Sequence, residues 1–85
     1  MSLQIGQRVK CIEEVDDNEL IVDEIGTIRE IDPDGGWYGV EFDNFVGGHK
    51  LGEFNGYSCT FGYGWYCYED TLVAVDISIG LEELI

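Results

Sequence analysis

The sequence contains few positively charged side chains. Four Lys and Arg residues stand against 18 Asp and Glu residues, which gives a formal net charge of −14 at pH 7. Proteins that bind phosphate backbones or anionic membranes directly do so through clusters of Lys and Arg. The composition therefore argues against direct binding to nucleic acid or to a membrane surface.

Long hydrophobic stretches are also missing. No run of about 18 apolar residues occurs, so the sequence predicts no transmembrane helix. The N-terminus lacks the basic start and apolar stretch of a secretion signal, and three cysteines cannot all pair within one chain. We therefore expect a cytoplasmic protein with reduced thiols. A length of 85 residues predicts a single domain over residues 1–85.

Residues that carry catalysis or bind metals are scarce. His49 is the only histidine, and its spacing from Cys59 and Cys67 matches no closed zinc pattern. The acidic clusters do not follow the alternating-oxygen loop of a calcium site. No activated serine and no phosphate-binding loop is present. We expect a protein that is not an enzyme and needs no metal or cofactor.

The composition is nevertheless that of a folded protein, with 45% hydrophobic residues. Alternating apolar and polar residues predict strands over residues 7–12, 26–31 and 37–43, and β-prone residues predict two more, over 65–68 and 72–75. In the third, Tyr38, Val40 and Phe42 face one way. Turn-forming residues at 32–36 predict a hairpin. Five short strands predict a small all-β barrel with its core over about 5–75.

Two regions fall outside these strands. The middle of the chain is rich in glycine and aromatic residues and predicts a long loop before residue 65, while Glu69 and Asp70 predict a tight turn or a single 3₁₀ turn. The short C-terminal tail, residues 76–85, is apolar on one side as either a strand or a helix. We expect it to dock on its own barrel or to contact a second copy or partner, which leaves a monomer or a homodimer open.

Four segments carry a resemblance to a known fold: IGQRVKCI at 5–12, GTIREID at 26–32, YGVEFD at 38–43 and DTLVAV at 70–75. This pattern resembles the small SH3-like barrels of the KOW and mind-bomb type. A second set, Gly39–Asp43, Gly47–Leu51 and Gly62–Trp65, is similar to small barrels encoded by bacteriophages and mobile elements. The resemblance implies a five-stranded SH3-like barrel of phage-like origin, acting in the cytoplasm of a bacterial host.

Residues 13–24 contain seven carboxylates and no cation: Glu13, Glu14, Asp16, Asp17, Glu19, Asp23 and Glu24. One interpretation is a solvated face that aids solubility. The other is electrostatic imitation of DNA. A duplex carries one charge per about 1.7 Å of axis, so a net charge of −14 corresponds to about 24 Å of duplex. In that case the seven carboxylates face a basic, nucleic-acid-handling protein.

The aromatic residues exceed what five short strands can bury, so some are expected at the surface as interface anchors. We predict this role for Trp37, Tyr63, Trp65 and Tyr66. His49 lies in a Gly-Gly-His-Lys-Leu segment. Its ring either hydrogen-bonds this loop and fixes its shape or contacts a partner.

Together these features predict a non-enzymatic, acidic binding protein. The leading hypothesis is a phage-type inhibitor, with anti-CRISPR or anti-restriction activity, that imitates DNA and blocks a bacterial nucleic-acid-binding protein. One alternative is an SH3-like adaptor that binds a protein or peptide through an aromatic groove. Another is a small-ligand-binding barrel, in which the loop from Gly47 to Gly64 covers a pocket with polar contacts from His49 and Tyr63.

Overall fold

The structure, a computed structural model, describes residues 3–75. Its strands are β1 (Arg8–Cys11), β2 (Ile25–Ile31), β3 (Trp37–Phe42), β4 (Gly64–Tyr68) and β5 (Leu72–Ala74). Two single 3₁₀ turns, Glu19–Ile21 and Glu69–Thr71, complete the secondary structure of this part of the chain. The predicted all-β fold with five strands is confirmed, and each strand begins and ends within one residue of its predicted bounds. The predicted tail, residues 76–85, lies outside the described residues.

The five strands form one antiparallel sheet in the order β4-β3-β2-β1-β5. The predicted hairpin joins β2 to β3, where the Asp32 N–H donates to the Trp37 carbonyl (3.0 Å). β5 returns to the far side of β1, so that Cys11 lies opposite Leu72.

The sheet is unclosed within residues 3–75, because β4 and β5 form its two edges. The 3₁₀ turn between them makes a corner, in which the Thr71 hydroxyl donates to the Tyr68 carbonyl (2.7 Å). This corner directs β5 toward β1 instead of back along β4. The expectation of a barrel therefore holds for the strands and their antiparallel arrangement, but the seam between β4 and β5 stays open.

The core lies on one face of the sheet and includes side chains from two loops. Val9, Ile28, Val40 and Phe42 project from the strands and are buried. The loop between β1 and β2, called the acidic loop here (residues 13–24), adds Val15 and Ile21. The loop between β3 and β4, called the glycine-rich loop (residues 43–63), adds Val46. Because a small domain buries little apolar surface, these loop residues make up a substantial part of the core.

A β-bulge in β2 reverses the direction of one charged side chain. Ile28 lies opposite Val40 on the core side, but the register shifts before Glu30, which lies opposite Gly39. Gly39 alternates with the buried Tyr38 and Val40, so both Gly39 and Glu30 face away from the core. A Cβ atom on Gly39 would lie 2.9 Å from the Glu30 Cβ. The glycine therefore leaves the space that the Glu30 side chain occupies.

Candidate functional site

The acidic loop is held to the sheet by apolar side chains and by hydrogen bonds to its backbone. Val15 and Ile21 are buried in the core. The indole N–H of Trp65 donates to the Val15 carbonyl (3.1 Å), and the Asn18 side-chain amide donates to the Val46 carbonyl (3.1 Å). None of these contacts uses a carboxylate. The loop therefore has a fixed backbone while its charges remain free to face solvent.

The tip of the acidic loop is a tight turn with an unusual backbone. Val15 and Asn18 form an isolated β-bridge, and the two residues between them, Asp16 and Asp17, have φ angles of 52° and 64°. Positive φ is uncommon outside glycine, although aspartate tolerates it better than most residues. The turn thus presents two adjacent carboxylates in a conformation that glycine would adopt at lower energy.

Six of the seven predicted carboxylates are exposed: Glu13, Glu14, Asp16, Asp17, Glu19 and Asp23. Asp23 has a partner, because the Lys10 ammonium lies 3.7 Å from its carboxylate. Glu24 is half-buried and accepts a hydrogen bond from the Asn44 side chain (3.0 Å). The other five form no ion pair within residues 3–75. They make up a negatively charged surface without internal neutralisation.

The glycine-rich loop folds over the outer face of the sheet, around the carboxylate of Glu30. One oxygen, Oε1, accepts hydrogen bonds from the Gly52 N–H (2.9 Å) and the Tyr66 hydroxyl (2.7 Å). The other, Oε2, accepts from the N–H groups of Phe54 (3.1 Å) and Asn55 (2.8 Å). Glu30 is 0% exposed. A buried carboxylate with four donors is a strong structural anchor.

The ionisation of this anchor follows from its surroundings. Burial raises the pKa of Glu30, but the hydrogen bonds from Tyr66 and from the three backbone amides outweigh it and hold the pKa below its ordinary value. Burial, followed by the hydrogen bond to Glu30, raises the pKa of Tyr66. At neutral pH a charged acceptor therefore meets a neutral donor. The sequence did not predict this role, because simple alternation along β2 places Glu30 on the same face as Ile28, toward the core.

Glu41 holds the loop at a second position. Its Oε1 accepts from the Arg29 Nε–H (2.9 Å) and the Tyr57 hydroxyl (2.7 Å). The Arg29 guanidinium also lies 5.3 Å from the centre of the Tyr57 ring, a distance at which a cation and an aromatic ring attract each other. Glu41 and Glu30 are thus committed to internal contacts and add little to the charge available for a partner.

The predicted aromatic anchors are all half-buried: Trp37, Tyr63, Trp65 and Tyr66. Trp65 packs against the core and uses its N–H internally, and the Tyr66 hydroxyl is held by Glu30. The most exposed aromatic side chains are instead Phe45 (62%) and Phe61 (73%) within the described residues. Alternation could not locate these two, because they lie in an irregular loop.

His49 contributes to the shape of the glycine-rich loop. Its ring centre lies 5.3 Å from that of Trp65 and 5.0 Å from that of Tyr66. The Leu51 N–H donates to the unprotonated Nδ1 (3.2 Å). Burial lowers the pKa of His49, which favours this neutral form. The geometry agrees with the interpretation that the ring fixes the loop.

The structure separates the two residues of the predicted ligand pocket. Tyr63 lines a depression together with Arg8 and Asp43, whereas His49 lines a different one with Lys50 and Tyr66. The two residues thus line different depressions within residues 3–75, and a pocket with polar contacts from both stays a prediction. The His49 segment pairs with Gly64 at the outer edge of β4.

One cleft brings the acidic loop together with the aromatic residues of the sheet. This acidic-aromatic cleft has a volume of about 220 Å³ and is lined by Asp16, Trp37, Glu53, Phe54 and Tyr66. Three of these residues were predicted as partner-binding residues from the sequence, on separate grounds. The sequence did not predict Glu53 and Phe54 as site residues. The feature that could have indicated them is the isolated position of Glu53, the only acid among residues 44–68.

The cysteines do not assemble into a metal site. Cys11 and Cys67 are buried in the core, and Cys59 is half-buried in the glycine-rich loop. The hydrogen bond to Cys11, followed by burial, raises the pKa of the Cys67 thiol. Among residues 3–75, no group of three His, Cys, Asp or Glu side chains is arranged to hold a metal ion.

No protein-family model matches the chain, and no curated protein is significantly similar to it. The described part of the chain contains no helix that is long and apolar enough to cross a membrane. The fold and the acidic loop together define a small all-β protein with an acidic surface on a loop that packs against the core.

Proposed function

We propose that the protein is a non-enzymatic inhibitor that binds the nucleic-acid-binding surface of a bacterial protein through its acidic loop. The observation that carries the proposal is the way this loop is built. Its buried contacts are apolar or involve backbone carbonyls, so five carboxylates remain exposed and without an ion pair within residues 3–75. Because its backbone is already held on the sheet, such a loop presents its charges with a lower cost of ordering on binding.

Charge alone would not give a specific complex. Exposed ion pairs contribute about 0–1 kcal/mol each and are screened by salt, so they accelerate association more than they strengthen it. Apolar anchors are present beside the charges. Leu20 in the acidic loop is 60% exposed and Phe45 is 62% exposed. These side chains add exposed apolar surface to the half-buried aromatic residues that the sequence predicts as anchors.

Leu20 and Phe45 lie beside the same part of the glycine-rich loop. A Cβ atom on Gly47 would lie 3.3 Å from Leu20, and one on Gly62 would clash with the ring of Phe45. Gly62 is joined to the segment around Gly47 by hydrogen bonds from Val46 (2.9 Å) and Gly48 (3.1 Å). An exposed apolar side chain next to unpaired carboxylates is the combination that an anchored inhibitor requires.

The test compares two double variants with the same change in net charge. Glu14→Gln/Glu19→Gln removes two charges from the acidic loop, and Asp34→Asn/Asp70→Asn removes two exposed charges elsewhere. Each protein is immobilised and exposed to bacterial lysate at about 0.15 M salt, where the Debye length is about 8 Å. Captured proteins are then assayed for nucleic-acid binding with and without added inhibitor.

We expect the wild type and the Asp34/Asp70 variant to capture one nucleic-acid-binding protein and to block its binding, and the Glu14/Glu19 variant to do both several-fold less well. Equal behaviour of the two variants would contradict a role for the acidic loop. Capture that neither charge variant changes would favour the adaptor alternative, in which an aromatic groove binds the partner and the charges serve only solubility.

A further inference from the structure

The acidic-aromatic cleft combines two features that attract a cation. Asp16 and Glu53 are exposed carboxylates in one cleft, and neither takes part in an ion pair within residues 3–75. Three aromatic rings line the same space. The negative faces of aromatic rings attract cations, most strongly where carboxylates lie nearby and water is partly displaced. The chemistry of the cleft thus favours a cation.

The backbone on both sides of the cleft is fixed in place. Asp16 sits in the turn closed by the Val15–Asn18 bridge, and its φ of 52° holds it at the tip. The Glu53 N–H donates to the Tyr66 hydroxyl (3.0 Å). Both neighbours of Glu53 in the chain donate their N–H groups to the buried Glu30 carboxylate. The backbone that carries the two carboxylates is therefore in place before any ligand arrives, which lowers the entropic cost of binding.

The size of the cleft limits what it can hold. Its volume of about 220 Å³ is below the range of about 300–1,000 Å³ that is typical of pockets for drug-sized ligands. Phe54 and Tyr66 meet at a centroid distance of 5.0 Å and an angle of 69°, so the walls form a corner. A single side chain fits such a corner better than a free metabolite does.

We propose that the acidic-aromatic cleft binds the guanidinium group of an arginine side chain that the partner protein presents. A guanidinium is planar, stacks on aromatic rings, and offers five N–H donors that can reach two carboxylates together, whereas a lysine ammonium is compact and more strongly hydrated. Nucleic-acid-binding surfaces are rich in arginine. The inference rests on the proposed function for the source of the arginine, but the cleft can be tested without any partner.

The test uses the two tryptophan indole N–H signals of ¹⁵N-labelled protein at pH 7. Trp37 lines the cleft, whereas Trp65 does not and its N–H is bonded to the Val15 carbonyl. The probe is Nα-acetyl-arginine amide, and the control probe is Nα-acetyl-citrulline amide, which has the same shape without the charge. We expect the arginine probe to shift the Trp37 signal saturably, with a dissociation constant on the order of 1 mM, and the Trp65 signal to stay in place.

A matched pair of variants separates the cleft from the general negative field. Asp16→Asn removes a cleft carboxylate, and Asp17→Asn removes its neighbour in the same turn, which does not line the cleft. Asparagine tolerates positive φ as aspartate does. We expect Asp16→Asn to weaken binding of the arginine probe at least about threefold and Asp17→Asn to leave it nearly unchanged.

Three results would overturn the proposal: no saturable shift of Trp37, an equal shift with citrulline, or equal weakening by both variants. The outcome is independent of the proposed function. If the arginine probe binds through Asp16 but the protein captures no nucleic-acid-binding protein, the cleft assignment stands and the proposed function is wrong. If capture succeeds but the arginine probe does not bind, the acidic loop acts without this cleft.

Discussion

In the acidic loop the buried atoms are apolar and the charges face solvent, whereas in the glycine-rich loop a buried charge holds the backbone and aromatic rings pack around it. Ile21 represents the first arrangement and Glu30 the second. Both loops cross the same small sheet. The comparison shows that the number of carboxylates in a segment does not reveal how many can contact a partner. Glu30 and Glu41, for example, accept hydrogen bonds from Tyr66 and Arg29 inside the protein.

The largest expected effect breaks the apolar attachment of the acidic loop. Ile21→Ala removes a side chain that is 0% exposed and should lower the free energy of unfolding by about 3 kcal/mol, through lost burial and the cavity left behind. Leu20→Ala is the matched control in the same 3₁₀ turn. Because Leu20 is 60% exposed, we expect a change within about 0.5 kcal/mol. Urea unfolding measures both, and similar losses would contradict an apolar attachment.

The next effect breaks the charged attachment of the glycine-rich loop. Glu30→Gln keeps the shape of the side chain but removes the charge and sets an amide donor against N–H groups that also donate. We expect a loss of about 2 kcal/mol at pH 7. Glu53→Gln, in the same loop, changes an exposed carboxylate and should stay within about 0.5 kcal/mol. A Glu30→Gln variant as stable as the wild type would remove the anchor role of this carboxylate.

The pH dependence of stability in the wild type and in Glu30→Gln tests the same attachment in a second way. The pKa of Glu30 in the folded state lies below its ordinary value of 4.5, so its contribution to stability is complete above that pH and is lost as pH falls through the folded-state pKa. The stability difference between the two proteins should therefore shrink below about pH 4.5. The difference is the informative quantity, because the other carboxylates titrate in both proteins. A difference that grows toward acid pH would contradict the lowered pKa.

The smallest effect tests whether a charged residue at the tip of the acidic loop lowers stability through backbone strain. Asp17→Gly should raise the free energy of unfolding by up to about 1 kcal/mol, because its φ of 64° suits glycine. Glu19→Gly removes the same charge from the 3₁₀ turn and should lower it by about 0.5–1 kcal/mol. Thermal unfolding gives the sign of each change. If both variants were destabilised, relief of backbone strain at Asp17 would be disproved.

Most of the fold follows from local patterns. The alternation of Tyr38, Val40 and Phe42 placed β3 and its buried face correctly, and the turn residues at 32–36 placed the hairpin. The exposure of the acidic loop also followed from the sequence, since five of its seven carboxylates are exposed without an ion pair in the described chain. The predicted anchors Trp65 and Tyr66 are half-buried. Alternation predicts the face of the strand on which a side chain lies, but not whether a loop packs over that face.

By itself, the sequence determined the positions of the five strands, the buried face of β3 and the negative charge of the surface. Strand patterns depend on neighbouring residues, and net charge is a sum over the chain. Only the tertiary structure decided the use of individual carboxylates. Glu30 became an anchor because a bulge turned it under the glycine-rich loop, and Asp16 came to share a cleft with Glu53 because two distant loops meet over Trp37. Both results depend on long-range packing, which no local pattern encodes.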